Sequence, residues 1–239
     1  MTQTQKDRDA LREWAVFYES GLRRQNSDVN LTQAQIAKDR TRLEADPIEW
    51  IRFFFPEYCK FEFAEFQIKA IRRCIKHEEW FEVLSWARGL AKSTTVMFIV
   101  IYLALTKKKC NVMMASATQD SAVRLLDPYK KQLEENALIR AYYGVQVNLG
   151  NWCAEEFVAK CGCSFRAVGA GNAPRGSRNG AVRPDVLLVD DFDTDEGCRN
   201  PDTIDKNWTW WEKALYGTRD TAVKTLIVFC GNIIARDCC

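Results

Sequence analysis

The segment SWARGLAKST, residues 85–94, combines residue types that bind phosphate. A β-favouring run, EVLSW, leads into this polar turn, and the long apolar run that follows predicts a helix. In a phosphate-binding loop, backbone N–H groups and a helix N-terminus surround the phosphate oxygens, a lysine neutralises their charge, and the next hydroxyl ligates Mg²⁺. Lys92 and Ser93 suit the last two roles. The usual pattern, G-x-x-x-x-G-K-S/T, has glycine where this chain has Trp86 and Ala91.

Two residues inside the loop support the phosphate hypothesis. Gly89 gives the turn one flexible point, and the Arg88 guanidinium could reach a γ-phosphate and stabilise charge in the transition state. The alternative is a surface loop that contains AKS by coincidence. The residues predicted to bind the nucleotide phosphates are Arg88, Gly89, Leu90, Ala91, Lys92, Ser93 and Thr94.

A second group of candidates lies in PDVLLVDDFDTDE. Its apolar run predicts a buried strand that ends in Asp190 and Asp191. P-loop enzymes use such carboxylates to hold Mg²⁺ and to polarise the attacking water. Ser93 and Asp190 are therefore the predicted Mg²⁺ ligands, and Asp191 is the predicted general base. This strand and the phosphate loop would both end at the carboxyl edge of a parallel sheet, where ligands bind. The alternative is a strand that ends in a solvated acidic turn.

Two shorter segments add polar candidates. In FQIKAI, the Gln67 amide could donate to and accept from an adenine edge, with Phe66 near the base; an exposed helix glutamine is the alternative. In VFCGNIIARD, Asn232 follows a predicted strand and could sense the γ-phosphate or the attacking water, although Asn and Gly are also ordinary turn residues. Gln67 is thus a nucleotide-binding candidate and Asn232 a catalytic one.

A glycine- and arginine-rich loop, GAGNAPRGSRNGAVRPD, precedes the acidic strand. Arg175, Arg178 and Arg183 lie among residues that allow unusual backbone geometry. Because arginine binds phosphate bidentately, the loop could supply an arginine finger or contact DNA. A solvated flexible loop is the plain alternative.

Composition limits the remaining possibilities. The chain has 239 residues, 47% apolar and 28% charged, and its net charge of +2 predicts neither nucleic-acid binding nor its absence. No apolar run approaches the ~20 residues of a membrane span, and the polar N-terminus does not match a signal peptide. The ten cysteines include no C-x-x-C pair, so reduced, mostly buried thiols are the default prediction. The nearest approach to a metal cluster is Cys153, Cys161 and Cys163, with Cys198.

The first part of the chain predicts helices only. Residues 7–24 and 31–45 show helical spacing, and Thr32 begins a possible capping box in the second helix. Asp46-Pro47 then predicts the start of a short helix. Because no phosphate or metal motif occurs here, residues 1–56 are interpreted as an N-terminal helical appendage.

From residue 61 onward, apolar strands alternate with helices. The strands are EVLSW, NVMMASA, DVLLVDD and KTLIVFCGN, while EEFVAK and CSFRAVGA predict a hairpin. One of the helices is predicted to continue through Pro128, and PDTIDKNWTWWEKALYG predicts another. This alternation predicts an α/β fold with helices on both faces of a mostly parallel central sheet.

Taken together, these segments resemble the ATPase domain of the large terminase subunit, the DNA-packaging motor of tailed bacteriophages. The similarity extends from about residue 61 to residue 239 and rests on the deviant phosphate loop, ASATQDSAVRLL, RAVGAGNAPRGSRNGAVRPDVLLVDDFDTDE and the final GN, in that order. In this family, arginine is frequent at the Arg88 position, and alanine can replace the glycine before the lysine. The resemblance implies an ASCE-type P-loop ATPase core at residues 57–239.

The resemblance also implies roles for individual residues. Gln67 belongs to the adenine motif. Asp191 stands where most members have a catalytic glutamate, which is one methylene longer. Asn232 belongs to the motif that couples hydrolysis to movement. Arg175 or Arg178 is the candidate finger that acts on the ATP of a neighbouring subunit.

The implied activity is Mg²⁺-dependent ATP hydrolysis that translocates double-stranded DNA into a procapsid, in the cytoplasm of the infected bacterial host. Implied partners are the portal protein and the small terminase subunit, with a homo-oligomeric ring on the portal and a monomer in isolation. Family members continue through a lid region and a nuclease domain, so we expect no nuclease activity from these 239 residues. Two alternatives remain: a superfamily 2-like helicase or translocase core, and a degenerate P-loop module that binds nucleotide for assembly without turnover.

Overall fold

The computed structural model describes residues 32–174, 178–194 and 196–231. Within these ranges six strands form one sheet: β1 (Trp80–Leu84), β2 (Asn111–Ser116), β3 (Glu156–Val158), β4 (Ser164–Gly169), β5 (Val186–Asp190) and β6 (Leu226–Cys230). Their order across the sheet is β1-β6-β5-β2-β4-β3. Neighbouring strands are parallel except β3 and β4, which form the antiparallel hairpin predicted from the sequence.

Helices precede these strands and connect them. In the described ranges they are α1 (Gln33–Ala45), α2 (Pro47–Phe54), α3 (Glu65–Lys76), α4 (Lys92–Leu105), α5 (Gln119–Glu135), α6 (Ala137–Tyr143) and α7 (Pro201–Trp210). Parallel strands cannot be joined by a tight turn, so the chain crosses over the sheet through α4 after β1 and through α5 after β2. As predicted, α5 continues through Pro128. The predicted α/β class, a mostly parallel sheet flanked by helices, is confirmed.

Strand pairing brings the carboxyl ends of four strands to one edge of the sheet. Cys230 of β6 pairs with both Leu84 of β1 and Asp190 of β5, and Ala115 of β2 pairs with Val189 of β5. Strand β6 therefore lies between β1, which leads into the predicted phosphate loop, and β5, which ends in carboxylates. At ~4.8 Å per strand, these two chain segments are about 10 Å apart. That gap leaves room for a phosphate group at the edge where open α/β sheets bind ligands.

Two hydrophobic clusters pack against the two faces of the sheet. Successive residues of β2 alternate between them: Met114 belongs to the larger cluster and Met113 to the smaller. The larger cluster contains α4, which is buried continuously from Val96 to Leu105, and this explains why its sequence is apolar on every side. The run VLLV in β5 is likewise apolar throughout because both faces of that strand are covered.

Helices α1 and α2 pack on the same core. The predicted capping box at Thr32 is present, and Asp46 caps the helix that begins at Pro47. Trp50 is fully buried, donates its indole N–H to the Tyr143 hydroxyl across 2.8 Å, and shares a hydrophobic cluster with α4. The predicted helix at 7–24 lies outside the described residues, and the division of the chain at residue 56 stays a prediction.

The first strand and the last predicted helix have different bounds from those predicted. The first strand begins and ends two residues earlier than EVLSW, because its pairing with β6 stops at Leu84. The predicted final helix is α-helical only to Trp210 and continues as a π-helical segment, Trp211–Leu215. The wider π turn places Trp211 and Leu215 in the smaller hydrophobic cluster.

The cysteines of the described residues are free thiols. Cys74, Cys163 and Cys230 are buried, and burial raises the pKa of the Cys163 thiol well above its usual range. Cys153 is exposed. Among the residues the structure describes, no group of three or more His, Cys, Asp or Glu side chains is arranged to hold a metal ion, and no helix is both long and apolar enough to cross a membrane.

Candidate active site

Two residues of the loop between β1 and α4 have a left-handed backbone conformation, and only one of them is glycine. Gly89 has φ +84°, and Ala91, the N-cap of α4, is also left-handed with φ +56°. Ala91 occupies the position where the usual phosphate loop has its second glycine. The geometry that this glycine would favour is therefore present, although alanine adopts it at a cost of about 1–2 kcal/mol.

Lys92 is the first residue of α4, and its ammonium lies against the loop. The side chain is buried, and Nζ donates hydrogen bonds to the carbonyls of Trp86 and Ala87 across 2.5 and 3.5 Å. Positive charge from the ammonium and from the helix N-terminus is thus concentrated at one point, which is the electrostatic requirement for binding an anionic phosphate.

Ser93 and Asp190 meet at the mouth of the loop. The Ser93 hydroxyl donates to Asp190 Oδ2 across 2.5 Å, and the Asp191 N–H donates to Asp190 Oδ1 across 3.0 Å. Burial raises the pKa of Asp190 to about 6, and the nearby Asp191 charge adds to that shift, while the Ser93 hydrogen bond and the Lys92 charge oppose it. A bound cation would relieve the electrostatic cost of ionising this carboxylate.

This pair of oxygen donors fits Mg²⁺. Proteins usually hold Mg²⁺ through one or two carboxylates together with substrate phosphates and water, and not through an all-protein cage. A site made by Ser93 and Asp190 beside the predicted phosphate loop would therefore need no third acidic ligand. The hydroxyl and carboxylate oxygens of the two predicted ligands are thus of the type that Mg²⁺ prefers.

Asp191 presents its carboxylate to solvent on a left-handed backbone. Its φ is +45°, a conformation that aspartate tolerates better than most residues, and its side chain is exposed. Its carbonyl is held by the Ser116 hydroxyl across 3.2 Å and by the Ala117 N–H across 3.3 Å. The backbone of Asp191 is thus anchored while its carboxylate is free to meet a water molecule.

The loop and the carboxylates line one cleft of about 610 Å³. The predicted phosphate and metal residues are all in its wall, and so are Asp193 and Thr194, which the sequence analysis did not single out. The repeated acidic and hydroxyl residues of DDFDTDE could have indicated them. The sequence does not predict, however, where the side chains that follow a strand end will point. The lining residues are Ala87, Arg88, Gly89, Leu90, Ala91, Lys92, Ser93, Thr94, Asp190, Asp191, Asp193 and Thr194.

The structure also brings Gln67 to the loop. Its Nε2 donates to the Leu90 carbonyl across 3.2 Å, and its Oε1 accepts from the Ala64 N–H across 2.9 Å. Each end of the amide keeps a second hydrogen-bonding position. Phe66 packs edge-on against Trp86 with ring centroids 4.7 Å apart, so the residue that replaces the first glycine joins α3 to the loop. Contact of Gln67 with adenine stays a prediction.

The end of β6 reaches the same place. Gly231 donates its N–H to the Leu84 carbonyl across 3.3 Å and shares a small pocket of about 30 Å³ with Arg88 and Asp191. The predicted coupling motif therefore begins beside the predicted base. Asn232 itself and Arg175 lie outside the described residues.

Arg178 is not at the cleft of its own chain. The next residue, Asn179, donates through Nδ2 to the carbonyls of Cys110 and Gly162 across 3.0 and 2.7 Å. Cys110 precedes the amino end of β2, whereas the phosphate loop lies at the carboxyl ends of the strands. A strand of this length separates those edges by about 15–20 Å. A role for Arg178 in a neighbouring subunit stays a prediction.

Comparison with known proteins adds one finding. No protein-family model and no curated protein matches the sequence. Among solved structures, the crystal structure of the HK97 bacteriophage large terminase matches with a TM-score of 0.51. The chain has a terminase-like fold. The match covers 79% of this chain at 16% sequence identity, and it spans 37% of the length of the terminase chain.

The terminase-like fold agrees with the resemblance that the motifs suggested. At this identity the likeness concerns the fold, so the chemistry of the site has to be argued from the cleft itself. Because the chain spans 37% of the HK97 terminase, the activities of a whole terminase do not follow from the match.

Proposed function

We propose that this chain is a Mg²⁺-dependent ATP hydrolase, the ATPase portion of a phage large terminase. The observation that carries the proposal is the hydrogen bond between Ser93 and Asp190 beside the Lys92 ammonium. This hydrogen bond joins the N-terminus of α4, which carries the lysine and the hydroxyl, to the carboxylate at the end of β5, and both line one cleft. This contact with a buried carboxylate is not expected of a surface loop that contains AKS by coincidence.

Each residue of the cleft has a task in this proposal. The Lys92 ammonium exchanges its loop carbonyls for β- and γ-phosphate oxygens, and the N-terminus of α4 presents N–H groups to them. Ser93 and Asp190 hold Mg²⁺, which when bound neutralises phosphate charge. Asp191 orients the attacking water and accepts its proton as the water oxygen bonds to the γ-phosphorus and ADP leaves. Arg88 stabilises the charge that develops on the γ-phosphate.

The wider role proposed for this activity is translocation of double-stranded DNA into a procapsid in the cytoplasm of the infected host. The portal protein and the small terminase subunit are the proposed partners, and a ring on the portal is the proposed working assembly. The terminase-like fold and the order of the motifs support this role. Arg175 or Arg178 would then act on the ATP of the neighbouring subunit.

The test of the hydrolase proposal is Lys92→Ala with phosphate release as the measurement. Removal of the ammonium should abolish ATP hydrolysis while circular dichroism shows that the chain stays folded, although loss of the bonds to the Trp86 and Ala87 carbonyls should lower its melting temperature. Lys69→Ala is the matched control, because Lys69 forms an exposed ion pair with Glu65 on α3. Unchanged turnover in Lys92→Ala would sink the assignment.

A second candidate is a nucleotide-binding assembly module without turnover. The observation that favours it is the Lys92 ammonium, which is already bound by the Trp86 carbonyl across 2.5 Å, so a phosphate must displace a close partner. This candidate predicts ATP binding with no phosphate release, even in a full-length ring on the portal. Phosphate release in that assembly would exclude it.

A further inference from the structure

Ser116 joins the ends of three strands. It is the last residue of β2, its side chain is 2% exposed, and it pairs with Gly169 at the end of β4. Its carbonyl accepts the Ala170 N–H across 2.9 Å, and its hydroxyl donates to the carbonyl of Asp191, just beyond the end of β5, across 3.2 Å. The main-chain bonds of this junction need only backbone atoms, so the bond to Asp191 is the part that requires a hydroxyl.

The residue that accepts this bond has a backbone conformation that its surroundings must hold. Asp191 has φ +45°, which is unfavourable for a residue with a Cβ. Such conformations persist only where neighbouring groups fix them, and they are concentrated at functional sites. On the amino side, the Asp191 N–H donates to Asp190 Oδ1 across 3.0 Å, which restrains φ. On the carboxyl side, its carbonyl accepts from Ser116 and, across 3.3 Å, from the Ala117 N–H, which restrains ψ.

The two donors to the Asp191 carbonyl complement each other. A carbonyl oxygen has two lone pairs, and one donor leaves the peptide plane free to tilt about a single hydrogen bond, whereas two donors fix its orientation. The following residue, Phe192, is buried in the smaller hydrophobic cluster, so tilting of the peptide between Asp191 and Phe192 is the freedom that the Ser116 hydroxyl removes. The direction of the Asp191 side chain then follows from its fixed φ and ψ.

We propose that the Ser116 hydroxyl fixes the backbone of Asp191 and thereby positions the Asp191 carboxylate for the attacking water. Ser116 is a positioning residue, since it touches the backbone of Asp191 and not the reacting atoms. Both residues line a second cavity, of about 470 Å³, so the carboxylate has open space to move into if its backbone is released. The kinetic part of this inference rests on the proposed function, whereas the restraint on the backbone does not.

The restraint is tested by a crystal structure of Ser116→Ala. Alanine lacks only the hydroxyl, so the strand end should keep its main-chain bonds. We expect Asp191 to leave its positive φ and its carboxylate to move by about 1 Å, a displacement that can cost about 10²-fold in rate. An unchanged backbone and carboxylate would show that Ala117 and Phe192 hold Asp191 without the hydroxyl, and would overturn the proposal.

The consequence for hydrolysis is tested by phosphate release over a range of ATP concentrations. Ser116→Ala should lower kcat by about 10–100-fold and leave KM for ATP within about twofold, because the hydroxyl affects the water and not the bound nucleotide. Ser164→Ala is the matched control. Ser164 is also a buried serine of the sheet, but it begins β4 at the opposite edge, so its substitution should leave kcat unchanged.

A double-mutant cycle separates positioning from a general loss of active protein. If Ser116 acts through the Asp191 carboxylate, Ser116→Ala should change the residual turnover of Asp191→Asn by less than about twofold, since the group that it positions is already absent. A purely structural role would reduce turnover by the same factor in both backgrounds. Equal reductions would therefore contradict the positioning role.

The outcomes separate this inference from the proposed function. A normal kcat in Ser116→Ala overturns the positioning role and leaves the hydrolase proposal standing. A wild-type chain that releases no phosphate, even in a full-length ring on the portal, overturns the hydrolase proposal and the kinetic part of this inference with it. In that case the crystal structure of Ser116→Ala still decides whether the hydroxyl holds Asp191.

Discussion

The Ser93 hydroxyl donates a hydrogen bond to Asp190 Oδ2 across 2.5 Å, although 97 residues separate them in the chain. Ser93 is the second residue of α4, the helix after β1, and Asp190 ends β5, which lies two strands away from β1 in the sheet. The contact joins the predicted phosphate loop to a buried carboxylate whose pKa is raised to about 6. The stability of the metal-free chain must therefore depend on the protonation of Asp190.

Asp190→Asn should stabilise the metal-free protein at neutral pH. The folded-state pKa of Asp190, about 6, exceeds its ordinary value of 3.8, so the folded chain binds this proton more tightly than the unfolded chain. The stability that this carboxyl contributes is fully present below about pH 4 and is lost as the pH rises through about 6. Asparagine keeps two hydrogen-bonding positions without the charge. In EDTA, the difference in free energy of unfolding between the variant and the wild type should grow in favour of the variant by about 3 kcal/mol as the pH rises from about 4 to 7.

Chemical denaturation at several pH values measures this difference. Other carboxylates also titrate in the same range, so the wild-type curve alone is not informative, and only the difference between variant and wild type isolates Asp190. A difference that is constant with pH would contradict the raised pKa.

Ala91→Gly should stabilise the loop. Alanine at φ +56° is strained by about 1–2 kcal/mol, and glycine removes that strain, while its greater freedom in the unfolded chain offsets part of the gain. We expect a net gain of up to about 1 kcal/mol and unchanged ATP hydrolysis. Ala87→Gly, in the same loop but without positive φ, should lose about 0.5–1 kcal/mol. Equal effects of the two substitutions on the free energy of unfolding would contradict this account of Ala91.

Asp191→Asn should separate nucleotide binding from hydrolysis. Asparagine tolerates the left-handed backbone at φ +45°, so the fold and the ADP affinity should persist. Loss of the proposed general base should reduce phosphate release by about 10²–10⁴-fold at saturating ATP. Asp127→Asn, on the exposed surface of α5, serves as the control. Turnover of Asp191→Asn within a few-fold of wild type would exclude Asp191 as the base.

Gly169→Ala should destabilise the packing of β4 against the start of α5. A Cβ at this position would lie 2.3 Å from the Gln119 backbone nitrogen at the start of α5, and the backbone cannot move away cheaply. We expect a loss of about 1–3 kcal/mol. Gly150→Ala is the matched control, since an added Cβ there meets no atom within 4 Å. Similar free energies of unfolding for the two variants would show that the close approach of Gly169 to α5 is not needed.

If Arg178 is the arginine finger, it should act only on the ATP of a neighbouring subunit. It lies at the amino edge of the sheet beside Asn179, opposite the cleft of its own chain. Full-length rings mixed from Arg178→Ala and Lys92→Ala chains should therefore recover part of the ATP hydrolysis that each variant lacks alone. If no mixing ratio restores activity, a trans role for Arg178 is excluded.

Local patterns in the sequence predicted the elements that depend on neighbouring residues. The capping box at Thr32, the helix start at Asp46-Pro47, the β3–β4 hairpin and the helix after the predicted phosphate loop are all present. Each of these depends on backbone preferences and hydrogen bonds within a few residues, or on one period of apolar side chains. The alternation of strands and helices predicted the α/β class, and the resemblance of the motifs to the large terminase subunit implied the terminase-like fold.

Tertiary structure alone decided which of these residues share a site. The insertion of β6 between β1 and β5 sets the gap between Lys92 and Asp190, and no local pattern encodes that strand order. The same holds for the contact of Gln67 with the loop and for the hydrogen bond from Ser116 to Asp191, since both join segments far apart in sequence. The residue types needed for phosphate chemistry were readable in the sequence. Their common position follows from long-range strand pairing and helix packing, whose energies depend on the whole core.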